Sequence, residues 1–210
     1  GKPLTGSEAR SKRGGSAVVG IDAHPPGLLH ASVVMCPTRG GKVAQFDGAA
    51  AQMMPGVKQV LAVAPYHGGT GGVAVIADTP WHAKKAAAAV TVQWDHGPAA
   101  TLSSAAVMTQ LSRALDQAQG FGYHSVGDVD KALQGAATTL TADYRAPYLA
   151  HATMEPINCT VQFKDGAASV WTSTQVPGLA RMATAKALGI DEDRVTVHQL
   201  LLGGGFGRRL

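Results

Sequence analysis

Residues 73–94 read Val-Ala-Val-Ile-Ala-Asp-Thr-Pro-Trp-His-Ala-Lys-Lys-Ala-Ala-Ala-Ala-Val-Thr-Val-Gln-Trp, and this stretch decides the fold class. The short apolar run Val73 to Ala77 is strand-like. Thr79 is a helix N-cap, since its hydroxyl accepts from an otherwise orphaned N–H of the first turn. Pro80 fits the first helical position, where no N–H is needed. The helix Trp81 to Ala89 leads into a second strand, Val90 to Trp94. Strand, capped helix and strand in this order make the unit mixed.

Upstream, Ala17 to Ile21 and Leu28 to Met35 are strand-like and are separated by Pro25-Pro26-Gly27. Asp47 caps a short helix, Gly48 to Met53, which Pro55-Gly56 ends, and Val57 to Val63 returns as a strand. His67 to Gly72 reads as a flexible turn. Downstream, Asp95-His96-Gly97-Pro98 closes the first unit. Leu102, Ala105, Met108, Leu111 and Leu115 then mark one helix face at spacings of three and four. Gly120 to Gly127 interrupts it, and a shorter helix, Asp128 to Leu133, follows. Strands are expected at Thr138 to Tyr144, Asn158 to Phe163 and Ala168 to Ser173, with Asp165-Gly166 as a hairpin turn. Pro177 to Leu188 reads as a helix ended by Gly189, before the acidic turn Asp191 to Asp193 and the strand Arg194 to Leu200. The class is α+β with two domains. Along the chain this gives a flexible basic arm (1–13), a small α/β unit (14–96), a helical connector (97–137) and a second α+β segment (138–210).

The 210 residues are 45% hydrophobic but only 5% aromatic, so cores must be built from Val, Leu, Ile and Ala. The net charge of +4 is not in a block. Lys2, Arg10, Lys12 and Arg13 cluster at the amino end as a solvated arm, without the aromatic interleaving or basic stripe of a nucleic-acid grip. Cys36 and Cys159 form neither a disulfide framework nor a C-x-x-C site, and their apolar neighbours make them buried small hydrophobes. No run approaches the ~18 apolar residues of a membrane span.

Chemistry concentrates in the last ten residues, Leu201-Leu202-Gly203-Gly204-Gly205-Phe206-Gly207-Arg208-Arg209-Leu210. Glycines allow positive φ and close approach of main-chain N–H groups to a ligand, and two guanidinium groups add positive field. The spacing is not a dinucleotide fingerprint, because Arg208 stands where G-x-G-x-x-G needs glycine. In Trp171-Thr172-Ser173-Thr174-Gln175-Val176-Pro177 a strand runs into a helix. Gln175 either donates its amide into a cleft or, with Thr174, satisfies the helix amino end. In His151-Ala152-Thr153-Met154-Glu155-Pro156 the prolines on either side favour a loop, so the expected roles are a structural histidine and a hydrogen-bonded glutamate holding a turn. His24, His30, His67, His82, His96, His124 and His198 share no ligand spacing and are assigned no site.

Together with Gly20-Ile21-Asp22, Leu28 to Pro37, Met54 to Val57 and Tyr144 to Pro147, these segments resemble the molybdenum-hydroxylase family of xanthine dehydrogenase, aldehyde oxidase and their relatives. His-Ala-Thr-Met-Glu-Pro and Gly-Gly-Gly-Phe-Gly-Arg-Arg look most like the branch of the isoquinoline 1-oxidoreductase large subunit and bacterial aldehyde dehydrogenases. The resemblance covers roughly residues 14–210. It implies an α/β-hammerhead domain (14–96) followed by the first part of a molybdopterin-binding α+β domain (138–210).

It also implies which residues meet the cofactor: Gln175, whose amide reaches the molybdenum ligand sphere, and Gly204, Gly205, Phe206, Gly207 and Arg208 of the loop. No metal-ligating residue and no catalytic residue is expected within this chain, because the family's base glutamate lies downstream. The implied activity hydroxylates an aldehyde or N-heteroaromatic carbon with water-derived oxygen. The implied cofactor is molybdopterin with molybdenum, the cytosine dinucleotide form being one option. It belongs to the complete enzyme and is open for this chain alone.

Implied partners are the remainder of the molybdenum subunit, a small iron–sulfur subunit and, as a further option, a cytochrome c. The chain is thus expected to be an amino-terminal fragment, inactive alone. The alternative is a non-catalytic assembly module docking an iron–sulfur partner. Xanthine dehydrogenases carry a glycine at the position of Arg208 and a substrate-pocket glutamate at that of Leu210, which stands against a purine substrate. A bacterial setting is implied, periplasm and cytoplasm both being open, with no export signal in the sequence.

Overall fold

The computed structural model describes residues 1–66, 68–117 and 120–210. In chain order the elements are α1 (Ala9–Gly14), a 3-10 turn (Gly20–Asp22), β1 (His30–Met35), β2 (Lys42–Asp47), α2 (Ala49–Gln52), β3 (Val57–Val63), β4 (Gly72–Ala77), α3 (Pro80–Ala87), β5 (Thr91–Asp95), α4 (Ser104–Gln117), α5 (Val129–Gln134), β6 (Cys159–Lys164), β7 (Ala167–Thr172), α6 (Pro177–Leu188) and β8 (Val195–Gln199). They fall into two compact units: Leu28–Tyr148, and Gly1–Gly27 together with Leu149–Leu210. The chain therefore leaves the second of these units and returns to it, an arrangement that boundaries drawn along the sequence do not express.

In Leu28–Tyr148, β4 is the central strand of an antiparallel sheet ordered β1-β4-β3, with Val34 opposite Val73 and Val60 opposite Val75. The side chain of Thr79 accepts from the N–H of His82 at 3.1 Å, and Pro80 opens α3 as its composition requires. The alanines of α3 let it lie close to the sheet: Ala86 and Ala87 pack with Val75 and Ala51, flanked by Val34, Val57, Val60 and Val90. Asp47 accepts from the N–H of Ala49 at 2.9 Å at the start of α2.

Strand β2, which pairs with β5, is not expected from the sequence pattern. Its register shifts between Val43 and Gln45, and a bulge of this kind breaks the period-2 alternation by which a strand is recognised. The stretch Thr138 to Tyr144, expected as a strand, is an exposed coil with no pairing partner, and an unpaired extended segment has nothing to fix it as one. Helix α4 forms where its apolar spacing placed it, yet none of its residues is buried, and Leu115 is 86% exposed. His67, the first residue of the expected turn, lies outside the described residues.

The second unit is built on a three-stranded sheet ordered β6-β7-β8. β6 and β7 form an antiparallel hairpin through Asp165 (φ 51°) and Gly166 (φ 72°), the two positive-φ positions of a tight hairpin turn. α6 carries the chain back so that β8 lies parallel to β7, with Thr172 opposite Gln199. Pro177 opens α6 and Gly189 (φ 66°) ends it, while Ala168, Val170, Ala185 and Val195 form the core beneath it.

Three expectations are corrected in this unit. Ala17 to Ile21 is not a strand: it makes one parallel bridge, Val19 with Leu201, and then turns into the 3-10 segment Gly20–Asp22. The backbone is diverted there because the N–H of Gly20 bonds Ser173 Oγ at 2.9 Å and that of Ile21 bonds Glu155 Oε1 at 3.0 Å. Residues 1–13 are not wholly without structure, since α1 forms over Ala9–Gly14 with Lys12 paired to Glu8 at 3.5 Å. Of the two cysteines Cys36 is buried, whereas Cys159 is exposed, because it opens the edge strand β6.

Candidate functional site

Parallel pairing of β7 and β8 sends their carboxyl ends out at the same edge of the sheet, where open α/β sheets hold ligands. β7 continues into Ser173-Thr174-Gln175 before α6, and β8 continues into the glycine loop. Two segments some thirty residues apart in sequence thereby meet. The N–H of Gln175 donates to the carbonyl of Arg209 at 2.8 Å, and Thr174 Oγ1 donates to the same carbonyl at 3.2 Å. Leu200 N–H bonds the Thr172 carbonyl at 3.0 Å, and Gln199 Nε2 donates to the Thr174 carbonyl at 3.0 Å.

The loop itself departs from ordinary backbone. Gly204 has φ 107°, Phe206 φ 51° and Gly207 φ 88°. For a bulky aromatic the left-handed region is strained, and Phe206 is nevertheless 75% exposed, so no core packing accounts for it. Among the described residues, the N–H groups of Gly204, Gly205, Phe206 and Gly207 meet no internal acceptor, while Arg208 N–H closes a turn to the Gly205 carbonyl at 2.8 Å. A Cβ on Gly205 would come within 3.6 Å of Gln175 Oε1, which puts that side chain beside the loop. Gln175 is exposed, and its side-chain amide has no hydrogen-bond partner among the described residues.

Beneath the loop lies a buried ion pair. Arg209 Nη2 is 2.7 Å from Glu155 Oε2, with the two side chains only 2% and 4% exposed. The same guanidinium donates to the carbonyls of Gly204 (2.9 Å, from Nε) and Glu155 (3.0 Å, from Nη2). Glu155 in turn accepts from the N–H groups of Gly203 (2.9 Å, Oε2) and Ile21 (3.0 Å, Oε1) and from Asn158 Nδ2 (3.0 Å, Oε1). Burial pushes the Glu155 carboxyl up, but the Asn158 amide, the Gly203 and Ile21 N–H groups and the Arg209 charge together outweigh it and hold the carboxyl below its ordinary value. Gly203 and Gly20 are required by contact: a Cβ on Gly203 would fall on that of Glu155, and one on Gly20 would lie 2.6 Å from Asn158 Oδ1.

The structure thus puts Gln175 beside Gly205 and the Phe206 ring beside Gly204, and leaves Phe206, Gly207 and Arg208 exposed. The expectation that two arginines add positive field is corrected. Only Arg208 presents its charge outward, because Glu155 neutralises Arg209 internally. Glu155 is the hydrogen-bonded glutamate that its turn suggested, whereas His151, expected as a structural histidine, is exposed. Sequence reasoning missed Arg209 and Gly203. Nothing in a dipeptide Arg-Arg says which arginine turns inward.

An anionic ligand that must sit against main-chain donors fits this arrangement. Free N–H groups line a loop in which a side chain at Gly205 would occupy the space next to Gln175. Residues 113–210, which include the whole loop and Gln175, match the family described as Molybdopterin cofactor-binding domain.

The chain is 32% identical to the membrane-bound aldehyde dehydrogenase [pyrroloquinoline-quinone] of Gluconacetobacter polyoxogenes, over 95% of this chain and 26% of that protein. It is 29% identical to isoquinoline 1-oxidoreductase subunit beta of Brevundimonas diminuta, over 100% of this chain and 27% of that one. Its fold matches the crystal structure of quinoline 2-oxidoreductase from Pseudomonas putida 86 with a TM-score of 0.66 and 18% identity, covering 97% of this chain and 30% of the other. The chain therefore spans about a quarter of the length of these curated relatives. No helix among the described residues is long and apolar enough to cross a membrane.

Proposed function

We propose that this chain supplies part of the molybdenum-cofactor large subunit of an oxidoreductase that hydroxylates an aldehyde or N-heteroaromatic carbon with oxygen from water. The observation that carries this reading is the meeting of Gln175 with the glycine loop at the Arg209 carbonyl, inside the segment matching the cofactor-binding family. Gln175, Gly204, Gly205, Phe206, Gly207 and Arg208 would hold the cofactor. The loop offers main-chain donors to its anionic groups, Gln175 a side-chain amide, and Arg208 an outward charge. The bound group supplies the two-electron redox chemistry, and these residues bind and orient it.

The relatives' names favour aldehyde or N-heterocycle oxidation over a purely structural assembly module. The first of those names carries pyrroloquinoline quinone, but the family matched at residues 113–210 supports molybdopterin. The cytosine dinucleotide form, the remaining large-subunit sequence, a small iron–sulfur subunit and a cytochrome c acceptor belong to the same proposal. The test is molybdenum and pterin content of the chain purified from a host that synthesises the cofactor, with the masses of everything that co-purifies. Stoichiometric molybdenum in an assembly with further large-subunit sequence is expected. Such an assembly free of molybdenum and pterin would refute the reading.

A further inference from the structure

We infer that Glu155 and Arg209 are positioning residues that set the register of the glycine loop against Gln175, rather than members of the binding surface or ordinary core. Both ends of the loop are tied to this one pair. At its start, Gly203 donates its N–H to Glu155 Oε2 at 2.9 Å and accepts at its carbonyl from the N–H of Glu155 at 3.1 Å. At its end, the Arg209 side chain reaches back to the Gly204 carbonyl at 2.9 Å and to Glu155 Oε2 at 2.7 Å. Between the clamped ends, Gly205, Phe206 and Gly207 have no N–H partner among the described residues.

Arg209 also couples the loop to the other strand end. Its carbonyl takes the N–H of Gln175 at 2.8 Å, and its guanidinium lies 3.5 Å from the Ser173 carbonyl on the same connection. A single residue thereby holds both Gly204 and the backbone of Gln175, and Glu155 fixes that residue's side chain. An arginine is suited to this because its planar fork of donors reaches a carboxylate and several carbonyls at once without rotating. A fully buried pair with every carboxylate oxygen engaged leaves only one arrangement of the loop ends. The inference rests on the cofactor reading for what the loop receives, and on this chain's own bonds for how the loop is held.

The experiment is ¹⁵N relaxation on the full 210-residue chain without cofactor, read at Gly203 to Gly207 and at Gln175, with β6 and β7 as internal reference. Order parameters near the rigid value of about 0.85 are expected in the wild-type loop, falling below about 0.6 in Arg209→Met and in Glu155→Gln/Arg209→Met. The sheet should be unchanged, and Arg209→Lys should recover part of the loss. A loop equally ordered in all variants would overturn the inference. So would global unfolding of the double variant, which retains no buried charge, because the pair would then be part of the fold. Molybdenum content of the same variants in a cofactor-synthesising host is the second readout. Wild type that assembles but carries no molybdenum sinks the cofactor reading and leaves the relaxation result to judge the clamp.

Discussion

Removing both charges of the Glu155–Arg209 pair should cost less than the sum of removing each alone. In Arg209→Met the carboxylate stays 4% exposed with no counter-charge, and the Gly204 and Glu155 carbonyls lose a charged donor. Breaking a buried pair in this way costs about 3–5 kcal/mol. Glu155→Gln strands the guanidinium and weakens the hold on the Gly203 and Ile21 N–H groups, a loss of similar size, about 3–5 kcal/mol. In the double variant no charge is buried, so its loss should fall short of the sum of the singles by about 2–3 kcal/mol. The assay is urea unfolding of the four proteins, with the slopes compared to confirm that the same surface is exposed in each. Additivity to within about 0.5 kcal/mol would refute the reasoning, because it would mean that the two side chains do not sense one another.

Glycine substitutions should separate the loop's fixed end from its open middle. Gly203→Ala drives a methyl group onto the Glu155 side chain and should lower stability by about 1–3 kcal/mol, seen as a fall in melting temperature. Gly205→Val meets first the end of the Leu202 side chain, Cδ2 at 3.0 Å, which can turn aside, so the cofactor-free chain should melt almost as wild type while molybdenum content in the assembled subunit collapses. Gln175→Ala removes an exposed side chain and should change stability by no more than about 0.5 kcal/mol, yet lower turnover in the assembled enzyme; full turnover at normal molybdenum content would remove Gln175 from the site. Acid stability should report on Glu155. Its folded carboxyl lies below the ordinary value of 4.5, so its contribution is present above that pH and is lost as pH falls through the depressed folded value. Unfolding midpoints measured from pH 5 downward should therefore fall more steeply in wild type than in Glu155→Gln.

What could be read from the sequence was what short-range chemistry decides. Thr79-Pro80, Asp165-Gly166 and Gly189 each fix a local conformation, and each appears where it was expected. The Gln175 and glycine-loop segments were visible because glycine clusters and strand-to-helix junctions announce themselves. The inward turn of Arg209 was not, because it depends on a carboxylate 54 residues away and on Gly203 admitting that carboxylate. The amino-terminal segment departs from its strand pattern for the same reason. Val18 and Val19 have strand chemistry, but what stops the strand at Gly20 is Ser173 and Glu155, contributed from the other end of the chain.

A buried pair of this kind is what a loop this rich in glycine needs in order to be held at all. Each glycine raises the conformational entropy lost on ordering, and a run of three followed by a fourth is the least favourable composition for a fixed loop. Side-chain packing cannot offset this, because the residues have no side chains, and Phe206 faces outward. The order has to come from the ends. There a charged network is better suited than an apolar contact: apolar contacts tolerate sliding, whereas a carboxylate with four donors around it and a guanidinium spanning three carbonyls do not. Such pairs add little to net stability against a hydrophobic replacement of the same shape. Their presence here is therefore better understood as holding Gly203 and Arg209 in place, so that the N–H groups between them stay free for a ligand.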